Sequence, residues 1–186
     1  MNYTDRVTRV EPSATLAVSS LAAELEAEGV DVVDLSVGEP DFETPEHIKA
    51  AGRDAITRGE THYSPSKGIP ELRAAIAEKL AAQGMPYEAE NVMVTPGAKQ
   101  ALFEVVHTLV EDGDEVVLLD PSWVSYAAMA EIAGAELTRV DLSETAFQLE
   151  PALDQLAEAI TDETELLIVN SPNNPRSEER RVGKEC

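Results

Sequence analysis

The chain is organised around Asn91-Val-Met-Val-Thr-Pro-Gly-Ala-Lys-Gln-Ala-Leu-Phe103. Val92, Met93 and Val94 form a short apolar run suited to a buried strand, and Thr95-Pro96-Gly97 breaks it before a helix-compatible run opens at Ala98. The first amides of a helix lack partners within it and lie at the positive end of its dipole. A helix opening here therefore allows Gly97, Ala98 and Lys99 to hold a phosphate, with Gly97 letting the anion approach the backbone. An ordinary strand-to-helix connection reads the same way, so the rest of the chain has to decide.

From Asn91 onward, strand and helix patterns alternate. Strands are predicted over 92–95, 115–119, 136–140 and 165–169, and helices over 98–111, 123–133 and 151–160, the pattern of a largely parallel sheet flanked by helices. In such α/β sheets ligands gather at the carboxyl ends of the strands. Three groups fall there: Gly97-Ala98-Lys99, the turn Pro121-Ser-Trp123, and Asn170-Ser-Pro-Asn-Asn-Pro175. A domain change is placed near residue 90.

The residues before 91 are less regular. Residues 1–12 read as an arm. A helix opens at Ser13-Ala-Thr15, carries Leu16, Leu21 and Leu25 towards one side, and closes at Gly29; a strand is predicted over Asp31 to Val37, ended by Gly38-Glu-Pro-Asp41. Thr44-Pro45 reads as a helix start, threonine capping and proline first in the helix, with Gly59 at the far end. Pro70 starts another helix, with Leu72, Ile76 and Leu80 at helical spacing and Gly84 closing it.

Composition narrows the function classes. The 186 residues, 43% of them hydrophobic, are enough for a real core. The net charge of −22 disfavours nucleic acid and anionic membranes as partners. No apolar run approaches the ~18 residues of a membrane span, and the N-terminus lacks a signal pattern, so a soluble, cytoplasmic protein is expected. Against 36 acidic residues spread along the chain there are only five lysines, a balance like that of proteins from high-salt cytoplasms, though a generically acidic surface reads similarly. Cys186 is the only cysteine, and His47, His62 and His107 show no ligand spacing, so no metal site is expected.

Taken together, Gly38-Glu-Pro-Asp-Phe42, Tyr63 followed by Gly68-Ile-Pro-Glu-Leu-Arg73, Gly97-Ala-Lys-Gln-Ala-Leu-Phe103, Gly113-Asp-Glu-Val116, Trp123-Val-Ser-Tyr126 and Asn170-Ser-Pro-Asn-Asn-Pro175 resemble class I aminotransferases, most nearly the prokaryotic aspartate aminotransferases. The resemblance covers residues 5–175. It implies the fold type I architecture, here a partial three-layer α/β/α large domain with an N-terminal small-domain and arm segment. The corresponding divisions are 1–40 for arm and small domain, 41–175 for the truncated cofactor-binding domain, and 176–186 for a tail.

The resemblance also implies pyridoxal 5′-phosphate as cofactor, amino-acid and 2-oxo-acid substrates with aspartate or a similar donor, and a homodimer for the full-length protein. Residue by residue, Gly97, Ala98 and Lys99 match the phosphate-holding loop. Trp123 matches the aromatic that stacks on the pyridine ring, for which a buried structural tryptophan is the plainer alternative. Asn174 matches the asparagine that reaches the ring oxygen and the substrate carboxylate, whereas Asn170 reads as a turn residue. Gly38 matches a glycine against the substrate, and the same resemblance gives Trp123 a part in substrate binding. Tyr63 matches a tyrosine reaching the neighbouring subunit's cofactor phosphate. Lys99 has a second implied role, offering its ammonium to a distal substrate carboxylate, with a solvated surface lysine equally open. Ser13 and Thr15 lie in a segment that folds near the substrate mouth in the family, or simply cap a helix.

After Asn-Pro the family continues Thr-Gly, whereas here Pro175 leads into Arg176-Ser-Glu-Glu-Arg-Arg-Val-Gly-Lys-Glu-Cys186. That segment carries four of the 14 basic residues and the cysteine and reads as a foreign tail, a divergent native terminus being the alternative. The cofactor-anchoring lysine, the acid against the pyridine nitrogen and the carboxylate-binding arginine all lie downstream of Asn-Pro in the family. No residue in 1–175 matches them, and Lys49, Lys67 and Lys79 read as surface residues. No catalytic residue is therefore assigned, and the chain alone is expected neither to turn over nor to form a stable family-like domain. A carbon–sulfur lyase or other fold type I enzyme, and a noncatalytic binding or regulatory module on the same fold, are the alternative readings.

Overall fold

The computed structural model describes residues 3–176. They fall into two compact units, one drawn from Met1–Ser13 with Ala98–Cys186 and the other formed by Ala14–Gly97.

The first unit is built on three parallel strands, β1 (Glu115–Asp120), β2 (Glu136–Asp141) and β3 (Thr164–Ile168), in the order β2-β1-β3. β1 pairs with β2 from Glu115↔Glu136 to Asp120↔Asp141, and with β3 through Val116↔Leu166 to Leu118↔Ile168. Alternate side chains of a strand point to opposite faces, so the unbroken run Val116-Val-Leu-Leu119 demands a cover on both. It has one. Val116 and Leu118 pack with Val106 and Val110 and with Tyr126, Met129 and Ala130, while Val117 and Leu119 pack with Val140, Leu142, Ala152 and Leu156. The first group places α5 (Ala98–Leu109) and α6 (Val124–Ala133) on one face, and the second places α7 (Leu153–Ala159) on the other; within the N-terminal segment expected to be an irregular arm, α1 (Asp5–Thr8) forms one helical turn that packs against α6.

This arrangement locates the ligand-binding end. α6 carries the chain from β1 outward to β2, and α7 carries it back across β1 to β3, on the opposite face. Right-handed crossovers in opposite directions put their helices on opposite faces and leave a crevice where the order reverses. Here that crevice lies between the carboxyl ends of β1 and β3.

The second unit contains α2 (Ala14–Ala27), α3 (Glu46–Thr57) and α4 (Pro70–Ala82), with Pro70 at the first turn of α4 as its sequence requires. Its segment before Gly97 is pinned by backbone contacts. Arg73 donates from Nε to the carbonyls of Ala89 (3.0 Å) and Val92 (3.1 Å), and the Val94 amide donates to the Lys67 carbonyl (3.0 Å). Gly68 makes that approach possible: its φ is +96°, and a Cβ there would lie 2.8 Å from Val94 Cβ.

Several predicted elements differ. Residues 92–95 are not in a sheet; Val92 is extended and buried, but its carbonyl is taken by Arg73 and Val94 pairs with a loop. The run 31–37 is likewise not a strand, because Val33 and Leu35 are exposed with no sheet face to cover them, and the Ser36 amide turns onto Asp34 (2.8 Å). Pro45, not Thr44, occupies the N-cap of α3, without a side-chain cap. Trp123 is the N-cap of α6 instead of its first residue, and the predicted helix over 151–160 is a 3-10 turn, Glu150–Ala152, followed by α7. Remaining boundaries shift by a residue or two, as helix and strand ends fray.

Candidate active site

Gly97 has φ +85° and open space where a Cβ would stand; its amide donates to the Thr95 carbonyl (2.8 Å) and its carbonyl accepts from Thr95 Oγ1 (2.9 Å). Ala98 and Lys99 are the first residues of α5, exposed, and their amides have no acceptor within the helix. The Lys99 ammonium lies 4.9 Å from the centre of the Trp123 ring. Trp123 itself is half-buried at the start of α6 and meets Tyr126 edge-on, with 5.5 Å between ring centres. The Tyr126 contact fixes the ring's tilt from the core side, so the indole orientation is set by packing. The first turn of α5 and the Trp123 ring are thus brought together.

The loop after β3 reaches the same end. Asn173 Nδ2 donates to the Pro121 carbonyl (3.2 Å), tying the β3 loop to the β1 loop two residues before Trp123. Asn174 is exposed, and its amide donates to Asn170 Oδ1 (2.7 Å), so Asn170 acts as the turn residue and leaves the Asn174 side chain outward. The peptide bonds Asp120–Pro121, Ser171–Pro172 and Asn174–Pro175 are cis. A cavity of about 230 Å³ lies between the loops, lined by residues including Pro121, Phe147, Asn170, Asn173 and Arg176. At the carboxyl end of β1, Asp120 accepts from Ser122 Oγ (2.7 Å) and from Arg139 (2.9 Å). The Ser143 amide and hydroxyl beside Asp141 hold that carboxyl below the usual range. Sequence reading passed over Asn173 as a clamp and over the Asp120–Arg139 pair. Asn173 stood within a quoted motif, but the bond that defines its role joins residues 52 apart.

Gly38 and Tyr63 belong to the second unit. Gly38 has open space at its Cβ position, and Tyr63 is fully exposed. Thr15 lies on α2, its carbonyl accepting from Ser19 Oγ (3.1 Å), and Ser13 is exposed. Lys49 pairs with Glu43 (3.0 Å) and Lys67 donates to the Glu90 carbonyl (3.2 Å), both surface roles. Among the described residues no group of acidic, histidine or cysteine side chains is arranged to hold a metal ion, and no helix is long and apolar enough to cross a membrane.

An anion-ready helix start beside a flat aromatic face, at the carboxyl ends of parallel strands, has the chemistry that suits a phosphate-bearing planar ligand. Residues 30–177 match the aminotransferase class I and II family, and the chain belongs to it. It is 48% identical over 172 residues to the aspartate/prephenate aminotransferase of Thermus thermophilus, covering 91% of this chain and 44% of that protein. To the aspartate aminotransferase of Geobacillus stearothermophilus it is 44% identical over 177 residues, 94% of this chain and 44% of the relative. The solved structure of Thermus thermophilus aspartate aminotransferase with maleate superposes with a TM-score of 0.89 at 47% identity, covering 94% of this chain and 46% of that one. The fold is therefore that of fold type I enzymes, and the chain spans about half the length of the curated relatives it matches.

Proposed function

We propose that this chain supplies the phosphate- and ring-binding part of a pyridoxal 5′-phosphate aminotransferase that moves the amino group of aspartate or a similar amino acid to a 2-oxo acid. The observation that carries the reading is the 4.9 Å approach of Lys99, on the open first turn of α5, to the Trp123 ring. A phosphate and a flat ring are the two recognisable parts of this cofactor, and each has a counterpart here. When bound, the cofactor supplies the carbonyl that takes up the amino group and the ring that accepts electrons.

The chain's own residues bind and orient. The amides of Ala98 and Lys99 receive the phosphate, and Gly97, whose own amide is engaged by the Thr95 carbonyl, leaves room for it. Trp123 provides the stacking face, and Asn174, turned outward by the Asn170 bond, is available to the ring oxygen and a substrate carboxylate. Gly38 offers uncluttered backbone to the substrate, and Lys99 offers a cation to a distal carboxylate. The complete exposure of Tyr63 supports a role across a homodimer interface. Lys49 and Lys67 are taken up in surface contacts and Lys99 is exposed on the first turn of α5, so none of the three is assigned the covalent attachment of the cofactor. The proposal extends to a cytoplasmic, salt-adapted protein, on the strength of the −22 charge. The domain assignment follows the same reading: 1–40 to arm and small domain, 41–175 to the cofactor domain.

Trp123 is the only tryptophan, so its fluorescence reports the site directly. Pyridoxine 5′-phosphate, which lacks the aldehyde and cannot label surface lysines, should quench it saturably, and pyridoxine without phosphate should bind at least about tenfold more weakly. Equal binding of the two would remove the phosphate loop from the proposal.

A further inference from the structure

A second cavity, of about 690 Å³, lies in the first unit at the end opposite the crevice. It is lined by Thr4, Arg6 and Arg9 of the N-terminal segment, by His107, Val110, Glu111 and Asp112 after and within the end of α5, and by Ala133 at the end of α6. Both helices finish there just before β1 and β2 begin, which places the cavity at the amino-end rim of the sheet. Its volume falls within the range of small-molecule sites, roughly 300–1,000 Å³.

The charges in it are only partly matched. Arg9 and Asp112 pair with each other at 3.0 Å. Arg6 and Glu111 make no ion pair among the described residues. The His107 ring is held by Phe103, with ring centres 4.0 Å apart, while its Nε2 is buried with no hydrogen-bond partner among the described residues. That nitrogen is closed off from solvent, so the ring presents its other atoms to the cavity. What remains to be complemented is one cation and one anion, beside the His107 ring and the apolar walls of Val110 and Ala133.

We propose that this cavity is an accessory binding site for a zwitterionic amino acid with an apolar side chain. Arg6 receives the carboxylate, because a guanidinium matches a carboxylate with two parallel hydrogen bonds. Glu111 receives the ammonium, and the side chain lies on Val110 and Ala133 beside the His107 ring. A simple anion would leave Glu111 uncompensated, and a simple cation would leave Arg6 so. The inference stands apart from the cofactor reading, since it uses none of the residues at the carboxyl-end crevice.

The test uses the full chain and its three histidines, whose imidazole proton resonances are few enough to follow singly. L-leucine is titrated at constant ionic strength. The His107 signal should move saturably while those of His47 and His62, in the other unit, stay in place. 4-Methylpentanoate, which is leucine without its amino group, and 3-methylbutylamine, which is leucine without its carboxylate, should each bind at least about tenfold more weakly. Arg6→Ala and Glu111→Gln, both at the surface and checked for fold by circular dichroism, should each lower the affinity by a similar factor. Leucine that leaves the His107 signal unmoved, equal binding of either half-molecule, or full affinity in both variants would overturn the proposal. The comparison of the three ligands decides it even if a variant does not fold.

Discussion

The Lys99 ammonium stands 4.9 Å from the centre of the Trp123 ring, joining the first turn of α5 to the first residue before α6. A cation over an indole face at a partly exposed position contributes about 0.5–1 kcal/mol. A double-mutant cycle of Lys99→Ala and Trp123→Leu, read by urea denaturation with circular dichroism, should give a coupling of about that size. Strict additivity would mean that the ammonium is held by solvent alone.

Gly68 makes a sharper prediction. Its φ of +96° already disfavours a side chain, and a Cβ would stand 2.8 Å from Val94 Cβ and Cγ2, a β-branched residue that has little freedom to move aside. Gly68→Ala should cost about 2–4 kcal/mol, the sum of a left-handed backbone and an overpacked contact. Gly84→Ala is the control, because its φ is +83° with nothing within 4 Å; it should cost only about 1–2 kcal/mol. Similar losses at both sites would show that the approach to Val94 relaxes freely.

At the amino end of β1, Glu115 accepts hydrogen bonds from Thr138 Oγ1 (2.6 Å), from Thr164 Oγ1, and from Thr161 Oγ1 (3.2 Å). The Thr138 hydroxyl first, then that of Thr164, hold its carboxyl below the usual glutamate value. A carboxyl lowered in the folded state adds stability that is present above its unfolded value and is lost as pH falls through the lowered one. Glu115→Gln should therefore be less stable than the parent at about pH 7 and approach it at about pH 3. A constant gap between the two across that range would assign the effect to packing instead of charge.

Net charge governs the fourth prediction. At −22, self-repulsion opposes the compact state in dilute buffer, and about 1 M salt shortens the screening length to ~3 Å. Helical circular dichroism and resistance to urea should rise along a potassium chloride series. A chain equally folded at both ends of the series would count against salt adaptation.

The alternation from β1 to β3 was legible in the sequence because a central parallel strand must be apolar on both faces. Val116-Val-Leu-Leu119 admits little else, and Gly134, left-handed at φ +97°, closes α6 where the pattern stops. The helix start at Ala98-Lys99 and the turn role of Asn170 were equally local, since a helix start and a side chain folding onto a nearby amide need only neighbours in the chain. What lay beyond reach was anything depending on a partner distant in sequence. Val92-Met-Val94 has a strand's composition, yet a strand exists only when a neighbour completes its hydrogen bonds, and here Arg73 and Lys67 hold those groups instead. The same holds for 31–37, where period alone predicts a strand and the lack of an apolar surface prevents one. The tie from Asn173 to Pro121, the placing of Lys99 on Trp123, and the meeting of Arg6, His107 and Glu111 around one cavity were decided by tertiary structure alone, because each depends on how the crossovers fold back over β1.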